Sequence, residues 1–598
     1  MSKFTGFVGM SPLKACVLLL TTCSIVGLSI GSTATGSGDG PPLDPCDPSG
    51  TPWIYPVDAA GIDQPDRWER FAWDGFIAMN WPHLVGGSPG QPDPDKSLCE
   101  PGDSLPTWAT WMLKAQLLLP DGASPGTWEK PTYSKPMYTP PSGGPTLPLL
   151  GTLSMNSDPD LLGEFDEAFS DRPLIDQNGN FVIYQIYLNQ SEFEYFRQTG
   201  YYDARNQHKA FMQDPPAFVG FPESGSPDEF SPPIKLPDYA RQGAIEIKVS
   251  YKQLTDSEVD SGRFFMREVY YASNDPDATA PCGPVTLGLV GMHVLQLTPT
   301  TGKTWFWATF EHVDNVKVHP TNPTGVPSFN PGPDSADCPP PYLTGYSCNG
   351  DKCTPFDSPA CPPAEISAEN PLNVCNAYLD QVVNVSRVEE MDIPASIEAV
   401  NIEYQAALPA PWRYYELIRT VQPDPDGTCC ILPDPENTVN TCFMSNTTME
   451  TYTQYYNEFD FLPRCNDDTI PTLGINCTDC HAIGVPQGAP VDSDGIPTST
   501  SYQVFTFMLL SADDSCDADI NIDNFIDEKD VAEIILAWGL VPDGSRPRAD
   551  LDIDGDVDGE DLALLLARWG ECETTLPLQP AHREPGLDKL INELKPRR

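Results

Sequence analysis

The chain has 598 residues, 40% of them apolar, with 66 Pro and 45 Gly; it has room for about two to four domains and enough apolar material for a large core, which excludes wholesale disorder. Its 34 Lys and Arg stand against 85 Asp and Glu, a net charge of −51. That balance excludes nucleic acid and anionic membrane surfaces as partners and favours divalent cations.

Lys3 and Lys14 precede an apolar run from Ala15 to Ile30, and the small residues Gly31, Ser32, Thr33 and Ala34 follow it. This is the order of an export signal over 1–34, so the mature chain is expected in the periplasm or outside the cell. No other run approaches the roughly 18 apolar residues of a spanning helix, so no transmembrane segment is expected in it. Of 18 Cys, two fall in the signal and two in a motif described below. The other 14 are enough for seven disulfides in an oxidising compartment.

Residues 35–60 are rich in Gly and Pro and read as a linker, and a body over 61–512 follows. Its first stretch, Trp68 to Pro82, carries apolar and aromatic residues at helical spacing and stops at a proline. Three strand-like runs come next: Ala244 to Tyr251, Val285 to Leu297, and Thr304 to Val313. The first alternates through Ile245, Ile247, Val249 and Tyr251, as a half-buried strand does. Residues 318–363, with Cys338, Cys348, Cys353 and Cys361 among many Pro and Gly, read as a disulfide-stapled insertion. Ser396 to Thr420 reads as a helix broken by Pro409 and Pro411. The expected class is therefore α+β with disulfide-rich loops.

Cys477-Thr478-Asp479-Cys480-His481 has the spacing Cys-x-x-Cys-His. Two thiols so placed can form thioethers to a porphyrin while the next imidazole ligates iron, which predicts one covalently bound haem c held by Cys477, Cys480 and His481. Only 31 residues separate His481 from Asp513, so the upstream body must pack the haem. Candidates for the sixth iron ligand are Met449, Met508 and Met444, then His312 and His293. Met449 is preferred, because Thr447 and Glu450 have the spacing of a capping box that would hold it in a first helical turn. His293, Glu311, His312 and Asp314 form a second cluster. On a strand Glu311 and His312 face opposite ways, so at most one of them shares a pocket with His293.

These segments resemble large bacterial proteins of the cytochrome c family. The similarity runs across most of 68–512: Trp68 to Pro82, Gly288 to His293, Trp305 to Asn315, Pro411 to Ile418, Asn446 to Tyr452, and the Cys-x-x-Cys-His motif. The resemblance implies a single-haem protein.

Near the C-terminus two segments repeat at an offset of 31 residues. Asp519, Asn521, Asp523, Asp527 and Asp530 align with Asp550, Asp552, Asp554, Asp558 and Asp561. These are positions 1, 3, 5, 9 and 12 of twelve-residue calcium loops, and two Ca2+ are expected. Gly555 stands at the sharp turn of the second loop, and Asn524 replaces it in the first. An amphipathic helix follows each loop and is expected to bury Trp538 and Trp569 against each other. From Asp513 to Asp561 there are 17 acidic and three basic residues, so folding should depend on cations. Cys516 and Cys572 could staple the ends. With Asp at position 12 and no full helix before either loop, the segment 513–572 resembles dockerin modules, small all-α units of paired EF-hand-like loops. The resemblance implies a cohesin-like partner. Residues 573–598 are left as a tail.

The sequence thus predicts an exported c-type cytochrome that transfers electrons to a redox partner protein and is tethered by its calcium module. The alternative is a haem oxidase or peroxidase with an open iron position and a pocket lined by the Trp305 to Asn315 segment.

Overall fold

Trp68, Phe71, Trp73, Phe76, Ile77 and Met79 place large apolar groups on nearly every side of one helix. A helix of that kind must be buried all round, and α1 (Arg67–Met79) is buried along most of its length. The computed structural model describes residues 44–59, 66–150, 174–178, 180, 182–213, 215–271, 282–302, 305–317, 319–330, 346–349, 352–355, 382–385, 393–421, 446–450, 481, 484, 486–490, 506–540, 548–551 and 556–572.

After α1 come β1 (Ile183–Leu188), α2 (Gln190–Thr199) and α3 (Ala204–Phe211). The three strand-like runs become β2 (Ile245–Gln253), β4 (Cys282–Gln296) and β5 (Phe306–His312), with β3 (Met266–Tyr271) between the first two. Then follow α4 (Ala395–Ala407) and β6 (Tyr415–Val421). These strands belong to a nine-stranded sheet in which the run β1-β2-β4-β5-β6 is antiparallel throughout. The long β4 is its axis: its first half pairs with β3 and its second half with β5, while β2 covers its other edge.

Period-two alternation gives this sheet two unlike faces. Ile247, Val294 and Ala308 form one rung, and Val249, Met292, Phe310 and Leu417 the next. Onto this apolar face α1 packs Trp68 against Phe306, and Trp73 and Phe76 against Phe310. The Trp73 indole donates to Asn401 Oδ1 of α4 at 3.0 Å and so keeps its one polar atom satisfied in the core. The opposite face carries Glu246, Lys248, His293, Glu311 and Arg419 along with some apolar side chains.

The structure departs from the sequence expectations in several places. Part of the stretch read as linker is core: Tyr55 and Ala59 are buried, and Cys46 is disulfide-bonded to Cys99. The segment read as a broken helix is a helix only to Ala407. Beyond the two prolines the β-branched and aromatic run Tyr415–Val421 joins the sheet beside β5. Within 318–363, strands Tyr346–Asn349 and Lys352–Pro355 form a hairpin; Cys338 and Cys361 lie outside the described residues, as does the segment 1–34 read as an export signal. Among the described residues no helix is long and apolar enough to cross a membrane.

The C-terminal module has its own small core of Ala518, Ile526, Ile534, Ala549, Val557 and Leu565, closed by the Cys516–Cys572 disulfide. Its helices are α5 (Glu528–Ala537) and α6 (Gly559–Ala567). It is not purely helical, because Phe525–Ile526 pairs with Gly570–Glu571 and Gly539–Leu540 with Asp556–Val557. This reciprocal pairing ties each loop to the far end of the other repeat. The expected Trp538–Trp569 packing is not formed: the two rings are 52% and 48% exposed. The inward positions are held one turn earlier by Ile534 and Leu565, both fully buried.

Candidate functional site on the polar face of the sheet

Cross-strand partners share a face, so the polar face can be read rung by rung. Glu246, Leu295, Trp307 and Val421 make one rung, and Lys248, His293, Thr309 and Arg419 the next. Ser250, Gly291 and Glu311 make the third. In a chain of strongly negative charge, the middle rung gathers two cationic side chains around a histidine.

The turn Asn446–Glu450 closes over the second and third rungs. Thr447 donates to Glu311 twice, from its N–H at 2.6 Å and its hydroxyl at 2.5 Å. Asn446 Nδ2 donates to Thr309 Oγ1 at 2.9 Å, and Thr448 Oγ1 meets Ser250 Oγ at 2.7 Å. The Tyr184 hydroxyl donates to the Thr448 carbonyl at 2.6 Å. Gly291 lies directly beneath this turn, where a Cβ would come within 2.6 Å of Ser250 Oγ and 3.0 Å of Asn446 Oδ1. A glycine is therefore needed there by close approach.

His293 Nε2 lies 2.6 Å from Glu450 Oε1, and Glu450 Oε2 accepts from the Asn446 N–H at 2.8 Å. Burial opposes ionisation of Glu450, yet His293, Lys248 and the Asn446 N–H together hold its carboxyl below the usual range. Among the described residues His293 Nδ1 has no partner, although His293 is only 7% exposed. The capping arrangement differs from the sequence reading. Asn446, not Thr447, accepts in this turn: its Oδ1 takes the Thr448 N–H at 2.9 Å, which frees Thr447 to bind Glu311. Met449 is buried in the main core, as is Met508. Met444 lies outside the described residues.

Beside the first rung stands His481. Its ring meets Trp307 edge-on, with centroids 4.5 Å apart and planes at 89°, and approaches Phe507 at 4.8 Å. Trp307 is buried, and its Nε1 has no hydrogen-bond partner among the described residues. The next turn of chain is fixed by Thr506, whose hydroxyl donates to Glu246 Oε2 at 2.6 Å. Behind it Glu192 is fully buried, and burial, with Glu246 beside it, pushes its carboxyl well above the usual range. Cys477 and Cys480 lie outside the described residues.

Glu311 shares the His293 face, and His312 does not. His312 is removed from the iron-ligand candidates: it lies on the apolar face, stacked on Phe264 at 3.9 Å. Its Nε2 contacts the Arg263 carbonyl at 3.2 Å, and its Nδ1 accepts from the Asp314 N–H at 3.2 Å. Burial holds it neutral, far below its ordinary range. Asp314 is engaged by Arg263 through two bonds of 2.7 and 2.9 Å.

In the first calcium-type loop Asp519 is fully buried, and its two oxygens accept from the Asp523 N–H at 3.0 Å and the Asn524 N–H at 2.7 Å. Asn524 adopts φ 74°, the left-handed conformation that its loop position needs. Asp530 accepts from the Asn521 and Asp527 N–H groups at 3.0 and 2.9 Å. In the second loop Asp561 accepts from Leu551 and Asp558 at 2.6 and 2.7 Å, and Asp558 caps α6. Asp552 and Asp554 lie outside the described residues. Cys516, Asp519 and Cys572 converge within metal-ligand distance, but the two sulfurs are joined to each other, which leaves Asp519 alone to ligate.

Sequence reasoning did not find Lys248, Arg419 or Thr506 as site neighbours; the strand register reveals the first two, and the bond to Glu246 the third. In comparisons with known proteins, no family model matches the chain, and no curated protein or solved structure is similar to it.

Proposed function

We propose that the polar face of the sheet holds a c-type haem and that the protein transfers single electrons to a redox partner. The observation that carries this reading is the edge-on seat of His481 against Trp307. It sets the imidazole of the Cys-x-x-Cys-His motif on a rigid, buried aromatic ring beside the Lys248–His293–Thr309–Arg419 rung. The donor set fits the group. Trp307 Nε1 and His293 Nδ1 are buried donors or acceptors without a partner among the described residues, and Lys248 and Arg419 carry charge suited to haem carboxylates. Cys477 and Cys480 would hold the porphyrin and His481 one face of the iron. When bound, the group supplies one-electron exchange. The calcium module over 513–572 tethers the protein to a cohesin-like partner. Exposed Ile535, Leu536, Trp538, Leu566 and Trp569 give it an apolar outer face.

Replacing both Cys477 and Cys480 by Ala should remove all haem that survives denaturation, read as the pyridine-haemochrome spectrum. Covalent haem retained in that double variant would end this reading.

Met449, on the turn clamped to Glu311, is the proposed sixth ligand. Met449→Ala should convert a low-spin spectrum to high-spin and lower the potential. A spectrum identical to that of the native protein would move the role to Met508 or His293, while a native protein that is already high-spin would favour the oxidase or peroxidase alternative.

A further inference from the structure

The two calcium-type loops are not equivalent, because the body supplies a cation to the first. α3 is capped by Asp203, whose Oδ1 accepts from the Arg205 N–H at 3.0 Å and from the Ser515 N–H at 3.1 Å. The Ala204 N–H donates to the Asp513 carbonyl at 2.9 Å, and Gln207 Nε2 to the Leu509 carbonyl at 3.0 Å. These contacts hold α3 along the start of the module and aim Arg205 into its first loop. The Arg205 guanidinium donates to Asp519 Oδ2, to Asn524 Oδ1 at 3.3 Å and to the Cys516 carbonyl at 3.4 Å. Arg205 is 1% exposed and Asp519 0%, so neither charge has water as an alternative partner.

The loop's own Lys529, at position 11, donates to Asp523 at position 5 and lies 3.7 Å from Asp527 at position 9. The carboxylates at positions 1, 5 and 9 therefore each face a basic side chain. Lys529 is exposed and can turn into solvent, whereas Arg205 is fixed by its helix. A divalent ion ligated by Asp519 would sit beside a buried guanidinium, where charges repel far more strongly than in water. The first loop thus does not fit calcium while the module is seated on α3. The second loop, Asp550 to Asp561, has no Lys or Arg in its sequence.

We infer that Arg205 takes the place of the cation in the first loop, which becomes the seat that docks the module on the body, and that the first loop of the whole chain holds no calcium. This rests on the calcium reading of the second loop proposed above. The test is a count of bound calcium on the full-length protein by calorimetric titration, after chelation and dialysis. The native chain should bind one equivalent, and Asp550→Ala should bind none. Arg205→Met should gain a second site, at least about a hundredfold tighter than any residual binding at the first loop of the native chain. Should Arg205→Met fail to fold, Asp519→Asn decides: the count stays at one if the first loop holds no calcium. Two sites in the native chain, falling to one in Asp519→Asn, would overturn the inference and leave the calcium reading intact. No binding to the native chain would remove both.

Discussion

Glu311→Ala should destabilise the protein by about 3–5 kcal/mol in denaturant titration, the largest effect expected from a single side chain of the polar face. The carboxylate is 1% exposed and accepts both the N–H and the hydroxyl of Thr447. Its removal leaves two buried donors without acceptors, at roughly 1–3 kcal/mol each, and opens a gap beneath the turn. Glu311→Gln keeps the volume and one acceptor, so its cost should be about half as large. The turn also carries Glu450, the partner of His293, and Met449. Under the haem reading proposed above, the alanine variant should alter the haem spectrum as well as the stability. A loss below about 1 kcal/mol would mean that the turn is held by Asn446 and Thr448 alone.

The second large effect is expected from calcium on the isolated fragment 513–572. Its helices have 10 and 9 residues, too short to persist alone in water. The surrounding carboxylates repel one another until a cation sits among them. Calcium should convert a largely unfolded peptide into one with the helical circular dichroism of α5 and α6, and chelator should reverse it. Cut from the body, the fragment has lost Arg205, so both loops should fill and the count should be two. Equal helicity with and without chelator would show that the Cys516–Cys572 disulfide and the buried Ile534–Leu565 layer suffice.

How much of this was legible in the sequence depends on the range of the interactions. The alternation Ile245, Ile247, Val249, Tyr251 announced β2 and its apolar face, because a two-residue period is written locally. The same logic separated Glu311 from His312, and the register shows which of them shares the His293 side. The helical reading of Tyr415–Val421 failed because pairing with β5 overrides local pattern. Trp538 and Trp569 misled because a large apolar ring at the edge of a helical stripe reads as inward whether or not a partner element covers it. The edge-on seat of His481 on Trp307 could not be read from local pattern, because the contact joins residues 174 positions apart.

The Arg205–Asp519 pair joins residues 314 positions apart, and that span orders events in time. α3 can offer its guanidinium only after the body around it has assembled, and Asp519 is made 314 residues after Arg205. Closing so long a loop is slow unless the intervening chain is already compact. The C-terminal module therefore seats after the body has formed. Until then Arg205 and Asp519 are both open to solvent, and a chain truncated before 519 leaves the Arg205 guanidinium uncovered, with no carboxylate opposite it. Seating of the module is in this sense a check on completion, and chains that stop short should be lost to proteolysis rather than accumulate as bodies without modules.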